Sequence, residues 1–141
     1  MQISDSVAPR RLTFDKLRLE HFKRDQCVVL VALTLAGDDV FFGTSGGEDS
    51  PGGQLECAAN ATLRALESAA EHQGGFALEL IESRSQVNAI VVQVAFSEPA
   101  GNHTLQLCGS SFVKDTPLHA VVRAVLQATN RLFETHFSFV H

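Results

Sequence analysis

One short pattern occurs twice in this chain. Gly43-Thr44-Ser45 leads to Asp49-Ser50-Pro51, and Gly109-Ser110-Ser111 leads to Asp115-Thr116-Pro117. Both copies read G-[ST]-S-x-x-x-D-[ST]-P. Strand-like runs precede each glycine, and a helical pattern follows each proline. A chain of 141 residues has room for one domain. The pattern therefore predicts a single domain made of two copies of one unit. Duplication sets two equivalent segments on one scaffold, where they can form a symmetric binding site or interface.

The flanking residues fill in the unit. Leu12 to Phe22 reads as a first strand. Val28 to Leu35 (VVLVALTL) is β-branched and almost wholly apolar, as expected of a central strand. Gly37-Asp38-Asp39 reads as a tight turn into a third strand, Val40-Phe41-Phe42. The segment from Gly43 to Gly53 holds five glycines and reads as a flexible loop. Ser50 suits an N-cap and Pro51 the first helical position, although Gly52 and Gly53 would allow a start nearer Gln54. Leu55, Ala58, Ala59, Thr62, Leu66, Ala69 and Ala70 then form one helical face, which Gly74-Gly75 ends.

The second copy repeats the plan. Phe76 to Ile81 and Ala89 to Phe96 (AIVVQVAF) are strands, Glu98 to Asn102 is a turn, and Thr104 to Cys108 runs into Gly109. Thr116 caps a helix whose apolar side carries Leu118, Val121, Val122, Val125, Leu126, Thr129, Leu132 and Phe133. The expected fold class is α+β, with the order βββα-βββα. It implies a mainly antiparallel sheet with two helices on one face. Residues 1–11 read as a flexible arm. Residues 12–141 read as the duplicated domain, with repeats over 12–74 and 75–134 and a short apolar tail, 135–141.

Charge and composition exclude several classes. Six of the eleven Lys and Arg lie within residues 1–26, which leaves five basic against twelve acidic groups in the rest. An acidic body repels phosphate backbones, so nucleic acid is an unsuitable partner. The longest apolar run, Val28 to Ala36, is too short to cross a bilayer. Cys27, Cys57 and Cys108 have neither redox nor zinc spacing and read as buried, inert thiols. With no signal peptide evident, they point to a reducing, cytoplasmic compartment. The six histidines are scattered without metal-ligand spacing, so no metal or cofactor is expected. His119, in the first turn of the second helix, is the one to watch.

The repeated segments are the candidate ligand-binding site: Gly43, Thr44, Ser45 and Asp49 in the first copy, and Gly109, Ser110, Ser111 and Asp115 in the second. Hydroxyls beside a helix N-terminus suit a carboxylate or other anion. Glu48 and Asp49 suit an ammonium group instead. The same residues also fit a plain structural role, with Ser50 and Thr116 as caps and the glycines permitting a sharp turn. The first segment lacks the Lys-Ser/Thr of a phosphate-binding loop.

The duplicated unit resembles the C-terminal regulatory domain of 2-isopropylmalate synthase and citramalate synthase. The resemblance rests on Phe42-Gly43-Thr44-Ser45-Gly46 with Ala58-Ala59 and Ala65-Leu66, then on Gly109-Ser110-Ser111 with the run Ala124 to Leu132, which contains Ala128-Thr129-Asn130-Arg131. It spans roughly residues 17–134. It implies a domain that dimerises, binds an end-product amino acid or related effector, and regulates a catalytic partner. The acidic residue that the family carries at each helix start is not matched, since Asp49 and Asp115 precede the prolines. The expected function is thus a ligand-sensing or regulatory homodimer that binds a small carboxylate or amino acid and acts on a partner enzyme. A protein-interaction module and a small enzyme with an interface active site are the alternatives. No catalytic residue set stands out in either copy.

Overall fold

The computed structural model describes residues 11–35, 39–99, 101 and 103–135. The chain runs β1 (Leu12–Phe22), β2 (Gln26–Leu35), β3 (Asp39–Glu48), α1 (Pro51–Ala69), β4 (Gly75–Arg84), β5 (Ala89–Ser97), β6 (Thr104–Phe112), α2 (Pro117–Thr135). This is the expected duplicated βββα unit. The strands form two separate antiparallel sheets, β1-β2-β3 and β4-β5-β6. Residues 1–10, the Gly37-Asp38 half of the predicted turn, and 136–141 of the predicted tail lie outside the described residues.

The two copies share a defect that marks them as one unit. Register slips between Phe14 and Lys16 in β1 and between Leu78 and Leu80 in β4. Asp15 and Glu79 are therefore matching bulge residues on matching edge strands. Past each bulge the ladders run in step. Leu17, Val31 and Gly43 lie side by side in one sheet, as Ile81, Val92 and Gly109 do in the other.

Each helix covers one face of its own sheet and also reaches the first strand of the other repeat: α1 touches β4 and α2 touches β1. The helix-facing residues are the core. Val29, Val31 and Leu33 meet Leu63 and Leu66, and Ile90, Val92 and Val94 meet Val121 and Val125, all fully buried. Two polar clamps join the repeats. The Glu67 carboxylate accepts the Phe76 N–H at 2.8 Å, while Arg64 donates to the Phe76 carbonyl at 2.8 Å. On the other side Phe14 packs edge-on against His119, ring centroids 5.2 Å apart, and the Arg123 guanidinium lies over Phe14.

The paired glycines explain how closely the helices approach. A Cβ on Gly43 would strike the Ala61 carbonyl oxygen and come within 2.5 Å of Ala65 N. On Gly109 it would strike the Ala124 carbonyl oxygen and come within 2.6 Å of Ala128 N. Bare backbone thus lies against bare helix in both repeats. The crossing falls about one turn deeper into α1 than into α2, counted from Pro51 and Pro117. That extra turn contains Gly52 and Gly53.

The Gly43–Gly53 segment, expected as a flexible loop, is strand as far as Glu48 and helix from Pro51. Gly46 and Gly47 pair in the ladder with Val28 and Cys27. Gly43, Gly47 and Gly53 of the run reflect close packing, whereas Gly46 and Gly52 have room for a side chain. Cys27 and Cys57 are buried as expected, but Cys108 is exposed. Its neighbour Gly109 faces the helix, and strand alternation turns Cys108 outward.

Gly43→Val should lower stability by about 3 kcal/mol or more, because the obstruction is backbone and cannot yield. Gly52→Ala, where nothing lies within 4 Å of the new methyl, should raise it by about 0.5–1 kcal/mol. Urea unfolding of both variants checks the contrast.

Candidate functional site

The residues just before each helix have definite local work. Ser50 Oγ accepts the Gly53 N–H at 3.0 Å, and Thr116 Oγ1 accepts the His119 N–H at 3.2 Å. Both are N-caps, as the sequence suggested. The aspartates before them each meet a histidine. Asp49 Oδ2 lies 2.5 Å from His21 Nδ1, and its Oδ1 accepts from Gln54 Nε2 at 2.7 Å. Asp115 Oδ2 lies 3.0 Å from His119 Nδ1, and the carboxylate accepts both Arg123 Nη1 at 3.2 Å and Nη2 at 3.4 Å. The histidines come from different places, His21 from the end of β1 and His119 from the first turn of α2.

These partners hold both carboxyls below the ordinary range. For Asp49 the His21 hydrogen bond is the main cause, followed by Gln54. For Asp115 it is Arg123, followed by His119 and the Thr116 N–H. Both aspartates thus anchor the strand-to-helix junctions, and each already has a positive or donor partner.

The other predicted site residues separate into three places. Gly43 and Gly109 lie beneath the helices. Thr44 points to the face of the first sheet that no helix covers, beside Arg18, Glu20, Val28 and Leu30. Ser45 faces α1 in a cleft of about 290 Å³ with Glu48, Ser50, Gly52, Glu56, Cys57 and Asn60. Ser110 and Ser111 line a separate cleft of about 320 Å³ with Phe112, Lys114 and Gln127. There the Ser110 N–H donates to Gln127 Oε1 at 2.6 Å, and the Ser111 hydroxyl donates to the Phe112 carbonyl at 3.2 Å. Neither cleft includes a residue of the other, so the chain does not bring the two motifs together in one site.

A second groove lies next to the first cleft, on the side of the second repeat. Glu56 and Asn60, one turn apart on α1, also wall this groove of about 390 Å³ with Leu78, Glu79, Leu80 and Ile81 of β4. Both hollows are mostly polar, and the opposite repeat adds Leu78 and Ile81 beside Glu79. Glu56 and Asn60 were missed in the sequence. They form a polar i, i+4 pair on a helix otherwise rich in Ala and Leu, which was the available signal. Nothing local indicated that β4 would form the facing wall.

Among the described residues no group of three or more His, Cys, Asp or Glu is arranged to hold a metal ion. No helix there is long and apolar enough to cross a membrane. Compared with known families and with curated proteins, the chain matches no family model and no curated sequence.

Depressed carboxyl pKa values stabilise the fold above the unfolded value, and that contribution is lost as pH falls through the folded value. With both aspartates lowered from 3.8, the melting temperature should drop between about pH 5 and pH 2. The double variant Asp49→Asn/Asp115→Asn should be less stable at neutral pH and show a flatter acid limb. Thermal unfolding followed by circular dichroism across that range checks both.

Proposed function

We propose that this chain is a small-molecule-sensing regulatory domain that works as a homodimer and binds an amino acid with an apolar side chain. The two neighbouring hollows between the α1 N-terminus and β4, which share Glu56 and Asn60, carry the reading. They set Glu48, Glu56, Asn60 and Glu79 beside an apolar patch of Leu78 and Ile81, a mixture that suits an amphiphilic ligand. The Glu56 carboxylate suits the ammonium group, and Asn60 can donate and accept beside it. The α1 N-terminus favours the ligand carboxylate. Leu78 and Ile81 suit the side chain. The resemblance to amino-acid-sensing regulatory domains points the same way. Three free thiols fit a reducing, cytoplasmic setting.

The partner we infer is a second copy. The helix-free face of the first sheet exposes Phe22, Val40 and Phe42, and that of the second exposes Leu80 and Phe112, the last at 63%. Arg18 and Glu20 stand 3.7 Å apart on the first of these faces. A two-fold axis across β1 would set each opposite its complement in the partner. In the resembling family such a dimer acts on a catalytic enzyme, and a similar target is part of this proposal.

Thermal-shift measurements against amino acids, 2-oxo acids and other small carboxylates test the ligand. One class should give a saturable rise, about 2.7 kcal/mol of added stability at a hundred times Kd. Asn60→Ala should weaken that response at least about tenfold, a loss of roughly 1.4 kcal/mol, while leaving the unliganded melting temperature nearly unchanged. No shift with any class would refute the sensor. Sedimentation should give twice the chain mass, and Phe42→Asp should return it to one chain. A wild-type monomer at micromolar concentration would remove the dimer.

A further inference from the structure

The first cleft has a feature without a counterpart in the second repeat. Cys27 on β2 lies directly across the ladder from Gly47 on β3. The Cys57 thiol of α1 occupies the space over Gly47, where a Cβ would stand 3.0 Å from its sulfur. Two thiols from different elements therefore meet over a glycine. The two thiols are close enough to interact electrostatically, and Ser45 lies in the same cleft as Cys57. The Cys27 thiol also donates to the Glu48 carbonyl at 3.5 Å. At the matching positions of the second repeat stand Asn88 and Val113, joined by backbone and side-chain hydrogen bonds. A valine there leaves no such slot.

We propose that Cys27 and Cys57 are a paired modification site that closes to a reversible disulfide when a hydroperoxide enters the cleft. Cys57 lines the cleft and meets the oxidant first. Its thiol gives a proton to solvent. The thiolate attacks one peroxide oxygen, an S–O bond forms, the O–O bond breaks, and hydroxide leaves and is protonated to water. The Cys57 sulfenic acid is then attacked by the Cys27 thiolate. An S–S bond forms, the S–O bond breaks, and the expelled hydroxide takes up a proton to become a second water. Two thiols have lost two electrons and two protons, and one hydrogen peroxide has become two waters.

Closing the bridge would tie the first turns of α1 to β2 beside Ser45 and Glu56. The inference stands independently of what the cleft binds. Burial and the nearby Cys27 hold the Cys57 thiol well above the ordinary range. The first step should therefore be slow at neutral pH and accelerate as pH rises, because the thiolate is the attacking form.

The test is intact-mass spectrometry of folded Cys108→Ser protein treated with hydrogen peroxide, which removes the exposed thiol from the result. The expected product is lighter by two hydrogens, reverts with dithiothreitol, and yields one linked peptide pair containing Cys27 and Cys57. Its rate should rise between about pH 7 and pH 9. Peptide mapping of the wild-type chain gives the same answer without any variant. Two thiols that stay free, or a product carrying added oxygen without a linked pair, would overturn the proposal.

Discussion

The contact between two glycines and two helix backbones governs this structure. Gly43 and Gly109 let α1 and α2 lie directly on their strands, near Ala61 and Ala65 in one repeat and Ala124 and Ala128 in the other. A helix held that close buries its small residues completely, and α1 accordingly hides Ala58, Ala59, Ala61, Ala65 and Ala69. Apolar burial of this kind contributes roughly 25 cal/mol per Å² of surface. The N-caps Ser50 and Thr116 mark where each helix begins.

Much of the fold was legible because its signals are local. Strand alternation, apolar runs and two S/T-Pro caps set the element order, and the caps make the bonds their sequence implies. The glycine run was harder. Glycine between a strand and a helix usually signals a loop, whereas here Gly43 and Gly47 make room for a helix backbone and a thiol. That requirement comes from tertiary packing, which a local pattern does not reveal. Cys108 was legible in principle, since strand alternation puts it on the face opposite Leu105 and Leu107. The candidate site was only half legible. Ser45 was in the motif, but its cleft is completed by Glu56 and Asn60 on α1 and adjoins a groove walled by the other repeat.

Duplication has given way to specialisation. The extra turn of α1 brings Gly52 and Gly53 into the first cleft, which Glu48 and Glu56 make acidic. Its counterpart carries Lys114 and Gln127 instead. The repeats therefore preserve their ladders, bulges and caps while differing in the electrostatics of their hollows. The shared parts are those that the fold requires. The parts that differ are not constrained in that way.

The matching bulges at Asp15 and Glu79 bear on how copies of this chain can meet. Both interrupt β1 and β4, each one edge strand of its sheet, where unpaired N–H and C=O groups would otherwise invite another strand. A bulge adds local twist and breaks the even spacing that a neighbouring ladder needs. An acidic side chain at each break adds repulsion between identical edges. Growth into an open-ended ribbon through these two edges is thereby discouraged.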